Sequence, residues 1–407
     1  MRMKLNKSSQ LLLVTAASLL VAGFVTACGT LTVDFVFVTS AKAAGINNYG
    51  EVNIFEINSE SGHMRQIPAS PVPSGGRNPV AEAVSSDNLN LFVVNEDDNS
   101  IVQFVIGNDG KLYPFNTVNT PGIYPMAVAV NASNLFVVDT YQPLPTCSTA
   151  APCSGSIAVF PLAAATGNTP ISMKSALVNP SLAATYWPLK LSGTSSTDVI
   201  VPTAVNVLGS GSYVFVSAYD STVTPHVGYV FGFTVGSGGV LSPVAGSPFV
   251  AGVQPSAIAS DSTGKYVYVT DFVRGNVLGF SVTSGVLASL SGSPYPAGNQ
   301  PSAIVVDPAY GYAYVANSLD ATITAYSINS GILTRIGGYT TGLQPVAIGI
   351  DPSAHHFLYA ANFLDSTVSG FELSTTAGTL LQAQNSPFAS NAQPTAVAAI
   401  PHGSAQK

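Results

Sequence analysis

Three side chains early in the sequence are of the types that acid–base work on a carbonyl needs. Arg77 stands beside Asn78-Pro79, Glu82 lies just inside the run that this proline opens, and Glu96 begins the acidic stretch Glu96-Asp97-Asp98. A guanidinium can polarise a carbonyl oxygen, and a carboxylate can pass a proton to or from water. Arg77 with Glu82 or Glu96 is therefore the candidate catalytic group. No HxH, HExxH or clustered acid–histidine spacing occurs, so no metal site is expected. There is no GxSxG elbow and no phosphate-cradling glycine loop, and no cofactor is expected. Among the histidines, His226 alone falls where it could join such a site, whereas His355-His356 is expected to be solvated on the opposite face.

What must position these residues is a repeat. Seven segments pair two short runs rich in Val, Ile, Phe and Tyr: 34–40 with 51–57, 91–106, 135–141 with 156–162, 213–220 with 228–235, 266–282, 312–328 and 357–373. Such runs are too short for core helices and read as strands. Ahead of six pairs, and again at the end, lies a run of small residues opening on Pro79, Pro125, Pro202, Pro255, Pro301, Pro345 or Pro394. Proline is tolerated at a first strand position because no ladder N–H is required there. A weaker fourth run follows each pair. A unit of four strands recurring mostly every 44–53 residues, with one longer interval, predicts an all-β fold: a seven-bladed β-propeller with four antiparallel strands per blade over 33–400, and a tail at 401–407. The chain starts at the second strand of one blade and ends on the first strand of a blade. Closure therefore requires 394–400 to join 33–39, 51–57 and a strand near 63–68.

Charged residues are only 8% of the chain while 46% are hydrophobic, which excludes a coiled coil and a disordered chain. The formal charge of −7 is dispersed, so no nucleic-acid partner is expected. In an antiparallel blade, the turn between the second and third strands shares a face, here the top, with the link to the next blade. Gln254, Gln300, Gln344, Gln393 and Tyr124 precede strand-opening prolines and would ring the channel mouth there. His226 and Trp187 lie in enlarged segments of the same face. This set is the candidate ligand-binding rim. It also has a structural reading, in which the glutamines bond neighbouring blades or channel water, the turn acids cap local N–H groups, and Trp187 plugs a blade.

Arg2, Lys4 and Lys7, an apolar stretch from Leu11 to Val25, and Val25-Thr26-Ala27-Cys28 have the order of a secretory signal. The small residue before Cys28 makes this similar to a bacterial lipobox. Residues 1–27 are then a signal peptide, Cys28 is lipidated, 28–32 is a tether, and the protein is a monomer anchored in the cell envelope by lipid alone. By resemblance to lipoproteins, Gly29 fits outer-membrane sorting. Cleavage removes three cations and no acid, moving the formal charge from −7 to −10. In an exported chain Cys147 and Cys153 read as a small disulfide loop, with metal binding the less favoured alternative.

YVYVTDFVRGNV (266–277) and YAYVANSLDATI (312–323), with the preceding QPSAI units, resemble the seven-bladed YVTN and lactonase-like propellers, including 6-phosphogluconolactonase-like proteins. The resemblance covers nearly all of 33–400 and implies hydrolysis of a sugar lactone. Lactonases of that family tend to carry Pro-His at the start of an inner strand, whereas every such proline here is followed by Val, Met, Thr or Ser. Rim cations are few. The expectation is accordingly a binding module that offers its top face to a protein or glycan partner, with a lactonase-like hydrolase as the alternative.

Overall fold

A computed structural model describes residues 33–44, 47–166, 170–191, 197–351, 356–391 and 393–401. The signal peptide, Cys28, the tether, His355 and His402 lie outside the described residues. The described chain forms seven antiparallel sheets of four or five strands, and its helical content is one 3₁₀ turn at Ser237–Gly239. The innermost strands are Pro394–Ile400, Pro79–Val84, Ile123–Val130, Ile200–Val207, Pro255–Ser260, Pro301–Val306 and Pro345–Ile350. Each packs beside the next, and Pro345–Ile350 returns to Pro394–Ile400, so the ring is closed. We number the blades from the one built from both termini. Its order is Met64–Gln66, Tyr49–Asn58, Val33–Ala44, Pro394–Ile400, with pairings running from Phe35↔Ile400 to Thr39↔Ala396. Closure leaves no inner edge unpaired.

The core is divided into seven apolar clusters, one at each interface between neighbouring blades. The period-two alternation of a strand produces this division. Phe35 and Phe37 pack toward blade 2, while Val36 and Val38 on the same strand pack toward blade 7. Both faces of each second strand are buried, which is why these strands read as continuous apolar runs instead of alternating ones.

Hydrogen bonds tie one blade to the next at both ends of the ring. In the Tyr-x-Tyr strands the inner tyrosine crosses to a neighbour's turn: Tyr268 Oη donates to Gly331 O at 2.9 Å and Tyr314 Oη to Gly378 O at 2.9 Å. Burial of these phenols pushes their ionisation far above the ordinary value, so they stay protonated donors. At the other end, the hydroxyl after a strand-opening proline reaches the next blade's proline carbonyl: Thr395 to Pro79 at 2.9 Å, Ser256 to Pro301 at 2.5 Å, and Ser302 to Pro345 at 2.6 Å.

Two features depart from the sequence reading. The fourth strand is split in five blades, and its second piece, such as Phe249–Val250 or Phe388–Ala389, pairs with the third strand. Serine bridges several of these breaks: Ser247, Ser293 and Ser386 accept the third-strand N–H of Gly232, Gly279 and Gly370 at 2.9–3.0 Å. The second departure is His356, which is buried instead of solvated. It stacks edge-on against Tyr310 with ring centroids 4.7 Å apart and lies 3.9 Å from the buried Asp307. Tyr310 and Asp307 both come from blade 6, a tertiary contact that the local sequence around His356 does not encode.

Candidate functional site

The top face is built by one device repeated around the ring. At or near the top end of strand two, most blades carry a buried Asx residue: Asn95, Asp139, Asp220, Asp271, Asn317 or Asn362. That side chain receives the incoming link. Asp271 accepts Val253 N at 2.7 Å and Gln254 N at 3.2 Å, Asn317 accepts Gly298 N at 2.9 Å, and Asp139 accepts Gly122 N at 3.2 Å. The link's glycine must come very close. A Cβ on Gly252 would lie 2.3 Å from Asp271 Oδ2, and its φ of +73° suits glycine. The motif Gly-x-(Gln/Asn/Tyr)-Pro, at Gly76, Gly122, Gly252, Gly298 and Gly342, records this contact. The residue before the proline then turns left-handed (Asn78, Tyr124, Gln300, Gln344 and Gln393), and its carbonyl clamps the first residue of the top turn. Glu96 N to Asn78 O, Phe272 N to Gln254 O, Ser318 N to Gln300 O and Phe363 N to Gln344 O are all 2.9 Å.

This framework engages the turn acids with backbone and link. Asp98 accepts Arg77 N, Asp320 accepts Asn299 N and Asp365 accepts Leu343 N, at 2.7–2.8 Å. The capping role expected of these acids is what the geometry contains. Burial would push Asp98 up, but hydrogen bonds from the Arg77 side chain and backbone outweigh it and hold its carboxyl below the usual range.

The three candidate catalytic residues are not brought together. Arg77 is turned onto Asp98, with Nε to Oδ1 at 2.7 Å and Nη2 to the same oxygen at 2.5 Å. Glu82 lies in the inner strand between blades 1 and 2, where Thr39 Oγ1 donates to its Oε2 at 2.5 Å. The residue is half-buried as a whole, yet its Oε1 is out of solvent with no hydrogen-bond partner, and burial raises its pKa from 4.5 to about 8. Glu96 is at the mouth. Asn78 Nδ2 donates to its Oε2 at 2.7 Å, and burial first, then the charge of Asp97, raise its pKa above the ordinary value. At the position following this Asx residue, or Ser40 in blade 1, the blades carry Ala41, Glu96, Thr140, Ser221, Phe272, Ser318 and Phe363. Glu96 is the one ionisable side chain of that set.

The rim residues divide. The side-chain amides of Gln254, Gln300, Gln344 and Gln393 make no hydrogen bond among the described residues and remain open to a ligand. Tyr124 packs edge-on against Tyr141 at 6.0 Å, and Tyr219 packs against His226 at 5.0 Å. The first pair stands over blade 3 and the second over blade 4, and burial raises the Tyr219 phenol above its ordinary value. Tyr141 and Tyr219 went unnoticed in the sequence because they follow or precede the Asx position instead of occupying a repeated one. Trp187 is not on the rim. It is 5% exposed in the core between blades 3 and 4, and its Nε1 donates to Leu241 O at 3.0 Å. An indole is large enough to fill the space opened by the long insertion, so it plugs the blade. Cys147 and Cys153 are disulfide-bonded with Cα atoms 5.4 Å apart. Among the described residues, no three His, Cys, Asp or Glu side chains cluster as a metal site.

Glu82 gives a stability prediction. The folded protein holds its proton up to about pH 8, whereas the unfolded chain releases it near 4.5. Unfolding therefore releases a proton between these values, so stability falls as pH rises through the window and levels off above it. The slope from this group is about 1.4 kcal/mol per pH unit. Asp139, raised to about 7 by burial against the bonds from Thr120 and Gly122, acts in the same direction. Glu82→Gln should flatten the pH dependence of chemical denaturation and stabilise the protein above pH 8; an unchanged slope would place the Glu82 carboxyl in water.

These features define a seven-bladed β-propeller whose mouth carries open glutamine amides and the half-buried Glu96 carboxylate. Residues 230–398 match a family profile described as Lactonase, 7-bladed beta-propeller. No curated protein sequence matches the chain. Among solved structures, the fold is similar to that of a candidate 6-phosphogluconolactonase from Bacteroides fragilis NCTC 9343 (TM-score 0.71, 19% identity, covering 91% of this chain and 98% of that one). It is also similar to a candidate 6-phosphogluconolactonase from Bacteroides uniformis ATCC 8492 (0.70, 18%, 90% and 99%). The periplasmic gluconolactonase of Pseudomonas aeruginosa is a further neighbour (0.69, 18%, 90% and 98%). At these identities the likeness establishes the fold.

Proposed function

We infer that the protein hydrolyses a neutral sugar lactone at the channel mouth, with Glu96 as general base. The observation that carries this reading is Glu96 itself, a carboxylate of raised pKa at the mouth, oriented through Oε2 by Asn78 and with Oε1 unengaged. Glu96 would take a proton from water as the oxygen attacks the lactone carbonyl. The ring C–O bond then breaks, and the leaving alkoxide recovers the proton, giving the open hydroxy acid. Donors for the developing oxyanion would come from the mouth amides, with Gln393 on the blade adjoining Asn78. The Tyr124–Tyr141 pair offers apolar ring faces and phenol tips to a polyhydroxylated substrate. The lactonase profile over 230–398 and the neighbours described as lactonases support the same reading.

A neutral substrate is favoured because Arg77, the cation beside Glu96, is held by Asp98 and is not free to receive a phosphate. The reading departs from the expected Arg77-based group in both respects. The disulfide supports an exported protein, and we retain lipid anchoring at Cys28 as part of the proposal. One observation favours a second reading: the capture of Arg77 removes the strongest polarising group, and the open amides would then hold a neutral glycan without turnover. Incubating the purified protein with glucono-δ-lactone and with its 6-phosphate separates the cases. Faster loss of the unphosphorylated lactone is expected; glycan binding with no turnover of either lactone would establish the second reading.

A further inference from the structure

At the seam between blades 1 and 2, one residue breaks a rule that the other blades keep. The third residue after a strand-opening proline is Val128, Val205, Ile258, Ile304, Ile348 or Val397 in six blades, each packed into the apolar interface with the preceding blade. Blade 2 has Glu82 there, opposite Val93. Its carboxyl reaches into blade 1 and meets both terminal strands at once. Thr39 Oγ1, on Val33–Ala44, donates to Oε2 at 2.5 Å, and the Ala398 N–H, on Pro394–Ile400, also donates to the carboxyl. Oε1 is buried without a hydrogen-bond partner. Thr395 Oγ1 completes the join, 3.2 Å from Thr39 O and 2.9 Å from Pro79 O.

In the other six blades the inner strand runs on through a short turn into strand two. In blade 1 it does not, since Thr395 and Thr39 are 356 positions apart. Pro394–Ile400 is therefore held to Val33–Ala44 and to blade 2 by ladder bonds and side chains alone. In such an interface an ionised carboxylate costs far more than a neutral carboxyl. Burial accordingly raises Glu82 from 4.5 to about 8, against the bonds from Thr39 and Ala398. No charge among the described residues acts on it. Pro394–Ile400, Asn90–Asn95 and Ser100–Ile106 carry no ionisable side chain. On Val33–Ala44, Asp34 shares the parity of Val36 and Val38, which face blade 7, and Lys42 lies beyond Ser40 in sequence. On Tyr49–Asn58, Glu51 and Glu56 are engaged by Asn391 and Arg65, and Tyr49 acts on Arg77.

We propose that Glu82 is a proton-operated clasp on the seam that closes the ring: the neutral carboxyl keeps Pro394–Ile400 seated between Val33–Ala44 and blade 2, and its ionisation releases that strand ahead of the rest of the ring. Release opens the carboxyl to water, where it ionises as an ordinary glutamate does. Opening is thus linked to the loss of one proton between 4.5 and about 8. The strand is most secure below this range, opens progressively as pH rises through it, and changes no further above it. Inner strands with Val or Ile at this position have no such group of their own. The clasp is separate from the lactone reading and stands without it.

Hydrogen exchange of the full chain, read by mass spectrometry and corrected for the intrinsic pH dependence of amide exchange, tests this. Protection of 394–400 should fall by up to about tenfold per pH unit between about pH 5.5 and 7.5. Protection of Pro255–Ser260, on the far side of the ring, should fall much less. Glu82→Gln keeps the side chain's shape and should flatten the fall at 394–400. Glu82→Val installs the residue type of the other blades and should do the same, which serves where either variant alone fails to fold. Protection of 394–400 that does not change with pH in the unmodified protein, that falls in step with Pro255–Ser260, or that keeps its slope in a folded variant overturns the proposal.

Discussion

Deleting residues 394–407 should cost the protein its cooperative unfolding transition. Pro394–Ile400 supplies the inner strand of blade 1, and its partners on Val33–Ala44 would lose the whole ladder from Phe35↔Ile400 to Thr39↔Ala396. Ile400 is 1% exposed in the interface with blade 2, while Val397 is 9% exposed in the interface with blade 7. Two interfaces therefore open at once, and Thr395 no longer bonds Pro79 O across the seam. Burial of a Val or Ile side chain contributes about 1.5–3 kcal/mol, so the two alone approach the lower end of a typical total stability of about 5–15 kcal/mol. Urea denaturation followed by circular dichroism should show a broad, early transition, restored in part by adding the 394–407 peptide. A midpoint unchanged by the deletion would mean that the ring does not depend on its terminal strand.

Glu96→Gln is expected to lower kcat/KM for glucono-δ-lactone by about 10²-fold or more, the usual contribution of a positioned general base. The substitution keeps the shape and the Asn78 contact, so the fold should be unaffected. The base works deprotonated, so kcat/KM of the unmodified protein should rise with pH through a value above the ordinary 4.5 of a glutamate, because burial and Asp97 both disfavour the charge. Asp97→Asn removes the smaller of those causes and should move the rise to lower pH without abolishing activity. Arg77→Ala should leave turnover within a few-fold, since its guanidinium is engaged by Asp98. Full activity in Glu96→Gln would exclude this carboxylate as the base.

The propeller and its closure were legible in the chain because both follow from local periodicity. Short apolar runs can only be strands, strand-opening prolines mark where a ladder N–H is not needed, and a unit recurring seven times with its first strand displaced to the end has one economical closure. The disulfide was legible for the same local reason, two cysteines close in sequence with no histidine or acid between or beside them. The split fourth strands were less so, although the Ser-Pro-aromatic recurrences at 247–249, 293–295 and 386–388 carry the signal.

The site was not legible, because direction is a tertiary property. Arg77, Glu82 and Glu96 lie within twenty residues, yet the bend of one link turns Arg77 onto Asp98, strand alternation sends Glu82 between blades, and Glu96 alone remains at the mouth. His356 is buried where exposure was expected, and of the two readings of Trp187 the plug holds and the rim does not, because the surfaces that cover both come from residues more than forty positions away. Spacing along a chain identifies which strands recur; which side chains are left without partners depends on contacts between distant strands, and only the folded ring decides those.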